Sequence, residues 1–291
     1  MGHSFSFRDK PLAPSKGNDG KPLVLVTGAS GNIGTHFAEH ADQKYSLRLM
    51  VKQIDDKAER IRSRGELVTG ELSDLDTLKK YCQGVDTVVH LAANPSPAAN
   101  WTSVRDDNIT GTYNTFVAAK AAGVRRIIYA SSIHAVSGYP EDVQVKTSEP
   151  VNPGDLYGVS KCFGEALGRY LAEQEGVSVI CLRIGAFQPV KNVSQPGKLS
   201  VLDAWVSHRD LQQLIERCID DGRLKFAIFM GLSNNAFKRL DISDARELVG
   251  YQPQDDFTQV NPSTALLKLA EKNMSHSMKD GGMKSGLRDE L

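Results

Sequence analysis

The feature that most restricts how this 291-residue chain folds is a glycine-bearing turn, Thr27-Gly28-Ala29-Ser30-Gly31-Asn32-Ile33-Gly34. An apolar run, PLVLVT at 22–27, precedes it, and an amphipathic stretch reaching about residue 43 follows. A short run that is apolar throughout reads as a strand buried on both faces. Each glycine then has its own task. Gly28 permits the tight turn, Gly31 lets backbone approach a pyrophosphate, and Gly34 lets helix and strand pack closely. The start of the helix adds free N–H groups and a partial positive charge for phosphate. Gly28, Ser30, Gly31, Asn32, Ile33 and Gly34 are therefore expected to cradle a dinucleotide.

The same alternation continues along the chain. Further strands are expected at 47–51, 66–69, 87–91, 126–130, 178–183 and 227–231, with long helices at 104–122 and 155–175. Apolar strands separated by helices, joined by right-handed crossovers, give an α/β fold: a doubly wound parallel Rossmann sheet of about seven strands. With 40% hydrophobic residues, the chain has enough apolar side chains for a large core. Residues 1–20 are polar and read as a flexible arm. Residues 21–185 form the dinucleotide-binding core, residues 186–270 complete the same domain as a small C-terminal substrate-binding part, and 271–291 read as a flexible tail.

Charge excludes some partners. Thirty-five basic side chains balance 35 acidic ones, and no basic stripe of the kind that nucleic acid requires is present. No apolar run is long enough to span a bilayer, and the first residues have no signal-peptide core. The last four residues, RDEL, resemble a retention signal, which is read only in the secretory lumen. Cys82, Cys162, Cys181 and Cys218 form no CxxC pair, so reduced, mostly buried thiols in a cytoplasmic protein are expected. No ligand clustering for a metal is read, and none is expected.

The tip of the second strand selects the cofactor. It ends Met50-Val51-Lys52-Gln53 with no carboxylate, while Asp55 and Asp56 fit helix capping. Lys52 suits a 2′-phosphate, so NADP is favoured slightly over NAD. Glu71 and Leu72 follow the third strand where the adenine lies, and Leu91, Ala92 and Ala93 end the fourth where small residues let the cofactor lie flat.

Tyr157-Gly158-Val159-Ser160-Lys161 sets a phenol and an ammonium four residues apart, on one helical face. A phenol titrates near ~10, too high for a base at neutral pH. A nearby ammonium and a nicotinamide cation both favour phenolate. Tyr157 then takes a hydroxyl proton while hydride leaves the same carbon. Ser132, ending the fifth strand, is placed to hold the substrate oxygen, and Asn108 lies in the preceding helix.

With these motifs the chain resembles the extended short-chain dehydrogenase/reductases, also called NAD-dependent epimerase/dehydratases, and among them the uronate dehydrogenases. The resemblance covers roughly residues 22–255. Its most specific stretches are YASSIH at 129–134, LYGVSKCFGE at 156–165, RIG at 183–185 and WVSHRD at 205–210. It implies that Tyr157 is the base, that Lys161 binds the nicotinamide ribose and lowers the tyrosine's pKa, that Ser132 holds the reacting hydroxyl, and that Ile184 borders the cofactor. It also implies oxidation of a pyranose at its anomeric carbon to a lactone, and a homodimer packed through the helices at 104–122 and 155–175. The chain departs from the uronate dehydrogenases at Ile133, where they carry Asn, and at Ala186, where they carry Ser. Their carboxylate-clamping Arg is absent from the loop 187–201, whose basic residues are Lys191 and Lys198. Lysine acts as a point charge and cannot clamp a carboxylate with two parallel hydrogen bonds. His134, Ala186 and Lys198 are therefore the candidate sugar contacts besides Ser132, and the substrate broadens to an aldose or its acid derivative. The alternatives are an epimerase that uses NAD(P) transiently and a non-catalytic NAD(P)-binding protein.

Overall fold

The computed structural model describes residues 4–17 and 19–266. Its sheet is built from β1 (Phe5–Phe7), β2 (Leu23–Thr27), β3 (Ser46–Val51), β4 (Glu66–Thr69), β5 (Thr87–His90), β6 (Arg126–Ser132), β7 (Ser178–Ile184) and β10 (Leu224–Gly231). Two short strands, β8 (Ala186–Phe187) and β9 (Trp205–Val206), pair in parallel beside it. The strand order is β1-β10-β7-β6-β5-β2-β3-β4. From β2 the chain runs outward through β3 and β4, then returns to β5 on the other side. Such a reversal opens a crevice at the carboxyl ends of β2 and β5, where doubly wound folds bind ligands.

Alternation along the strands builds two cores. Val24, Val26, Val89, Ile128 and Ile180 face one way, against Phe37, Ala38 and Ala41 of α1 (Asn32–Ala41) and Leu211 and Leu214 of α8 (His208–Asp220). Leu25, Val88, Ile127, Tyr129 and Val179 face the other way, against Phe116 and Ala119 of α5 (Gly111–Ala121) and Leu171 of α6 (Leu156–Glu175). A period of two with both faces covered explains why these strands read as unbroken apolar runs.

The doubly wound sheet stands as expected, its eight strands close to the expected seven or so. Two other expectations need correction, the first being that much of the supposed flexible arm is docked. Phe5 pairs with Ala227 in the one antiparallel ladder among the described residues, while the Ser15 N–H and hydroxyl both bond the Asp86 carboxylate. An edge strand leaves unpaired N–H and C=O groups, and the arm satisfies those of β10. The helix expected at 104–122 begins earlier, as α4 (Trp101–Ser103) capped by the Asn100 side chain. It then widens into π-helical turns over Val104–Thr110 before α5. The tail 271–291 lies outside the described residues. All four cysteines are free, and all but the half-buried Cys162 are buried.

Candidate active site

Two adjoining cavities open in the crevice, of about 530 Å³ and about 640 Å³, with Gly28 and Ala93 bordering both. The turn between β2 and α1 forms their shared floor. Gly28 sits at φ +69°, a region that disfavours side chains, and a Cβ on Gly34 would stand 2.5 Å from the Gly28 carbonyl oxygen. Gly31 precedes α1 with no side chain capping the helix, so the first-turn N–H groups face the cavity. This cradle fits a pyrophosphate.

Every residue expected to contact the cofactor lines one cavity or the other. Gly31, Asn32, Ile33, Gly34, Leu91 and Ile184 border the first, together with Tyr157 and Lys161. Ser30, Lys52, Glu71, Leu72 and Ala92 border the second. Lys52 does not stand alone there: its Nζ lies 3.3 Å from a Glu71 carboxylate oxygen, and both side chains are exposed. Asp55 caps a helix, α2 (Asp56–Ile61), as its position suggested.

Successive side chains of β6 point to opposite faces. Ser131 turns inward and donates to Glu165 at 2.6 Å, and Arg183 grips the same carboxylate with two bonds of 2.9 Å. Ser132 borders the first cavity, its hydroxyl close enough to that of Tyr157 to favour the phenolate. Tyr157 lies in the first turn of α6, whose N-cap is Asp155. One Asp155 oxygen accepts from the Gly158 N–H at 2.7 Å and the other bonds His134 Nδ1 at 2.6 Å. The His134 ring in turn meets Tyr157 edge-on, with centroids 5.4 Å apart. Lys161 comes one turn later, with Nζ 5.4 Å from the Tyr157 ring centre and 5.2 Å from that of Tyr129. Gly164 makes the close approach to Tyr129: a Cβ there would stand 2.2 Å from the ring.

The electrostatics differ from the expected tuning. Burial pushes the Tyr157 phenol above its usual range, while the Ser132 hydroxyl pulls it partly back. Burial also pushes the Lys161 ammonium down to about 7. Lys161 sits over the phenol ring, and desolvation favours the neutral form of both groups.

Two expected site residues lie elsewhere. Asn108 is fully buried and does not border the cavity. Its amide donates to the Asn94 carbonyl at 3.1 Å and to Ser160 at 3.0 Å, and accepts from the Asn94 N–H at 2.8 Å. It is a positioning residue that ties α6 to the loop bordering the cofactor cavities. Lys198 is exposed and does not line the catalytic cavity; its main-chain N–H donates to the Gln195 carbonyl and its own carbonyl accepts from Asn261. His134 and Ala186 do line it, beside Phe187 of β8 and Ser200, Val201 and Ala204 of the loop before β9, which sequence reasoning missed because a two-residue strand and an irregular loop carry no periodic signal. Asp155 was missed as well, although an Asp directly before a helix is a capping signal. The expectation of no metal-ligand cluster also fails, since His36, Glu39 and His40 hold ligating atoms within 4.8 Å of one another.

A reversed parallel sheet, a glycine turn under a two-part crevice, and a serine, tyrosine and lysine converging on one end of it define a dinucleotide-binding protein of the extended short-chain dehydrogenase/reductase type. The sequence matches the NAD-dependent epimerase/dehydratase family over residues 24–189. An NAD-dependent glucose-6-phosphate dehydrogenase of Haloferax volcanii is 34% identical, covering 80% of this chain and 93% of its own. An L-arabinose 1-dehydrogenase (NAD(P)(+)) of the same organism is 33% identical, covering 81% and 98%. The crystal structure of a mutant uronate dehydrogenase from Agrobacterium tumefaciens, complexed with NAD, superposes with a TM-score of 0.72 at 28% identity, covering 89% of this chain and 92% of the other. The chain belongs to the NAD-dependent epimerase/dehydratase family.

Proposed function

We propose that the protein is an NAD(P)-dependent sugar dehydrogenase that oxidises the C1 hydroxyl of a pyranose to a lactone. The convergence of Ser132, Tyr157 and Lys161 on one cavity, continuous with the glycine-turn groove, carries this reading. When bound, the nicotinamide ring supplies the hydride acceptor. Ser132 and Tyr157 together hold the C1 hydroxyl, and Tyr157 removes its proton. Lys161, in its charged form, draws the phenol towards phenolate and binds the cofactor's ribose. Asp155 holds His134 in one ring orientation, so its other nitrogen is free to meet a sugar hydroxyl. Ala186 lines the same cavity beside the sugar.

Among the described residues that line this cavity there is no arginine, and the only lysine is Lys161. A carboxylate or phosphate there would lack a clamp. An uncharged aldose is therefore the favoured substrate over a uronate or a sugar phosphate. For the cofactor, Lys52 offers a partner to a 2′-phosphate once it leaves Glu71, which favours NADP while admitting NAD. Exposed Tyr113 and Tyr170 on α5 and α6 support a homodimer through those helices. Free thiols support a cytoplasmic location; no described helix is long and apolar enough to cross a membrane.

The test is a panel of neutral aldoses, uronates and sugar phosphates, run with NAD and NADP in parallel and followed by ultraviolet absorbance, with the lactone identified by NMR. Net reduced cofactor with a neutral aldose supports the reading. Sugar inversion without net reduction, or activity confined to anionic sugars, overturns the dehydrogenase or the substrate class respectively.

A further inference from the structure

We propose that His36, Glu39 and His40 form a site for a divalent transition-metal ion of the zinc, nickel or cupric class. The three stand at i, i+3 and i+4 of α1, so one helical face carries them all. Their ligating atoms lie within 4.8 Å of one another, with His36 half-buried and the other two exposed. Two imidazoles and one carboxylate suit borderline transition metals, whereas calcium and magnesium prefer oxygen ligands alone.

A second observation fixes which nitrogen ligates. His40 Nδ1 lies 2.8 Å from the main-chain carbonyl of His36, and a carbonyl only accepts, so Nδ1 carries the proton. The lone pair of the neutral ring is then on Nε2. Metal-binding histidines typically use their other nitrogen in this way, which settles tautomer and ring orientation before the ion arrives. The site also has support from outside its helix. His208 packs on His36 with ring centres 4.8 Å apart and stacks on Phe187 at 4.1 Å. Phe187 is itself a wall of the catalytic cavity. A separate groove of about 460 Å³, bordered by His36, His40 and His208, gives an ion access from solvent. The bound ion would thus hold the outer end of a column of four rings, Phe187, His208, His36 and His40, whose inner end shapes the substrate side.

The tag-free full chain is titrated with zinc, nickel and magnesium by calorimetry, beside His36→Ala, His40→Ala and Glu39→Gln. Zinc is expected to bind one ion per chain at this site. Each histidine variant should lose about tenfold or more of that affinity, with cofactor binding retained as the check on folding. Magnesium should give no heat. Free zinc at about 100 times its Kd should raise Tm by about 5 °C in the wild type and not in His40→Ala. The proposal is overturned if the wild type takes up no zinc or nickel, or if zinc binds as tightly to the His40→Ala chain.

Discussion

Replacing Lys161 with Met should make the cofactor-free protein more stable while abolishing turnover. Lys161 is 3% exposed and has no carboxylate partner; its Nζ lies between the faces of Tyr129 and Tyr157. Burial lowers its pKa from 10.5 to about 7. The unfolded chain therefore binds more protons than the folded one throughout that interval, and wild-type stability rises with pH across it. With about 1.36 kcal/mol per unit, the buried lysine costs about 4 kcal/mol at pH 7, about 2 kcal/mol at pH 9 and close to nothing at pH 11. Cation–π contact with the two rings trims the first figure by about 1 kcal/mol. Methionine fills similar space without a charge. Urea unfolding of both chains at pH 7, 9 and 11 should show a stability gain that shrinks as pH rises. A gain that does not vary with pH, or a variant less stable than wild type at pH 7, would refute the reasoning.

Gly164→Ala should destabilise the fold by about 1–3 kcal/mol, the usual cost of overpacking, because its methyl meets the buried Tyr129 ring; an unchanged urea midpoint would contradict that packing. Lys52→Glu should lower kcat/KM for NADP by about tenfold, the equivalent of one charge-assisted hydrogen bond, and leave NAD nearly unaffected; equal losses with both cofactors would remove Lys52 from the choice.

Local features of the sequence were the most legible. The glycine turn, the apolar strands and the tyrosine–lysine spacing each depend on neighbours within a few residues, and all stand where the pattern put them. Pairings across the chain were not legible. Nothing in residues 5–7 announces that they meet residues 224–227 at a sheet edge. The widened turns around Asn108 turn its amide towards Asn94 and Ser160, an orientation that regular helical spacing does not encode. Lys198 was singled out by its charge, and charge alone does not say which way a loop faces. The ligand spacing in HFAEH was visible, but it lay inside the helix already assigned to the cofactor.

The central claim is that the Tyr157 hydroxyl is the base for the oxidation. Tyr157→Phe removes that oxygen and leaves the ring against His134. Steady-state rates with the best aldose should fall by about 100- to 10,000-fold, with NAD(P) affinity within about twofold of wild type by direct titration. Turnover that survives the change at the wild-type rate would contradict the account.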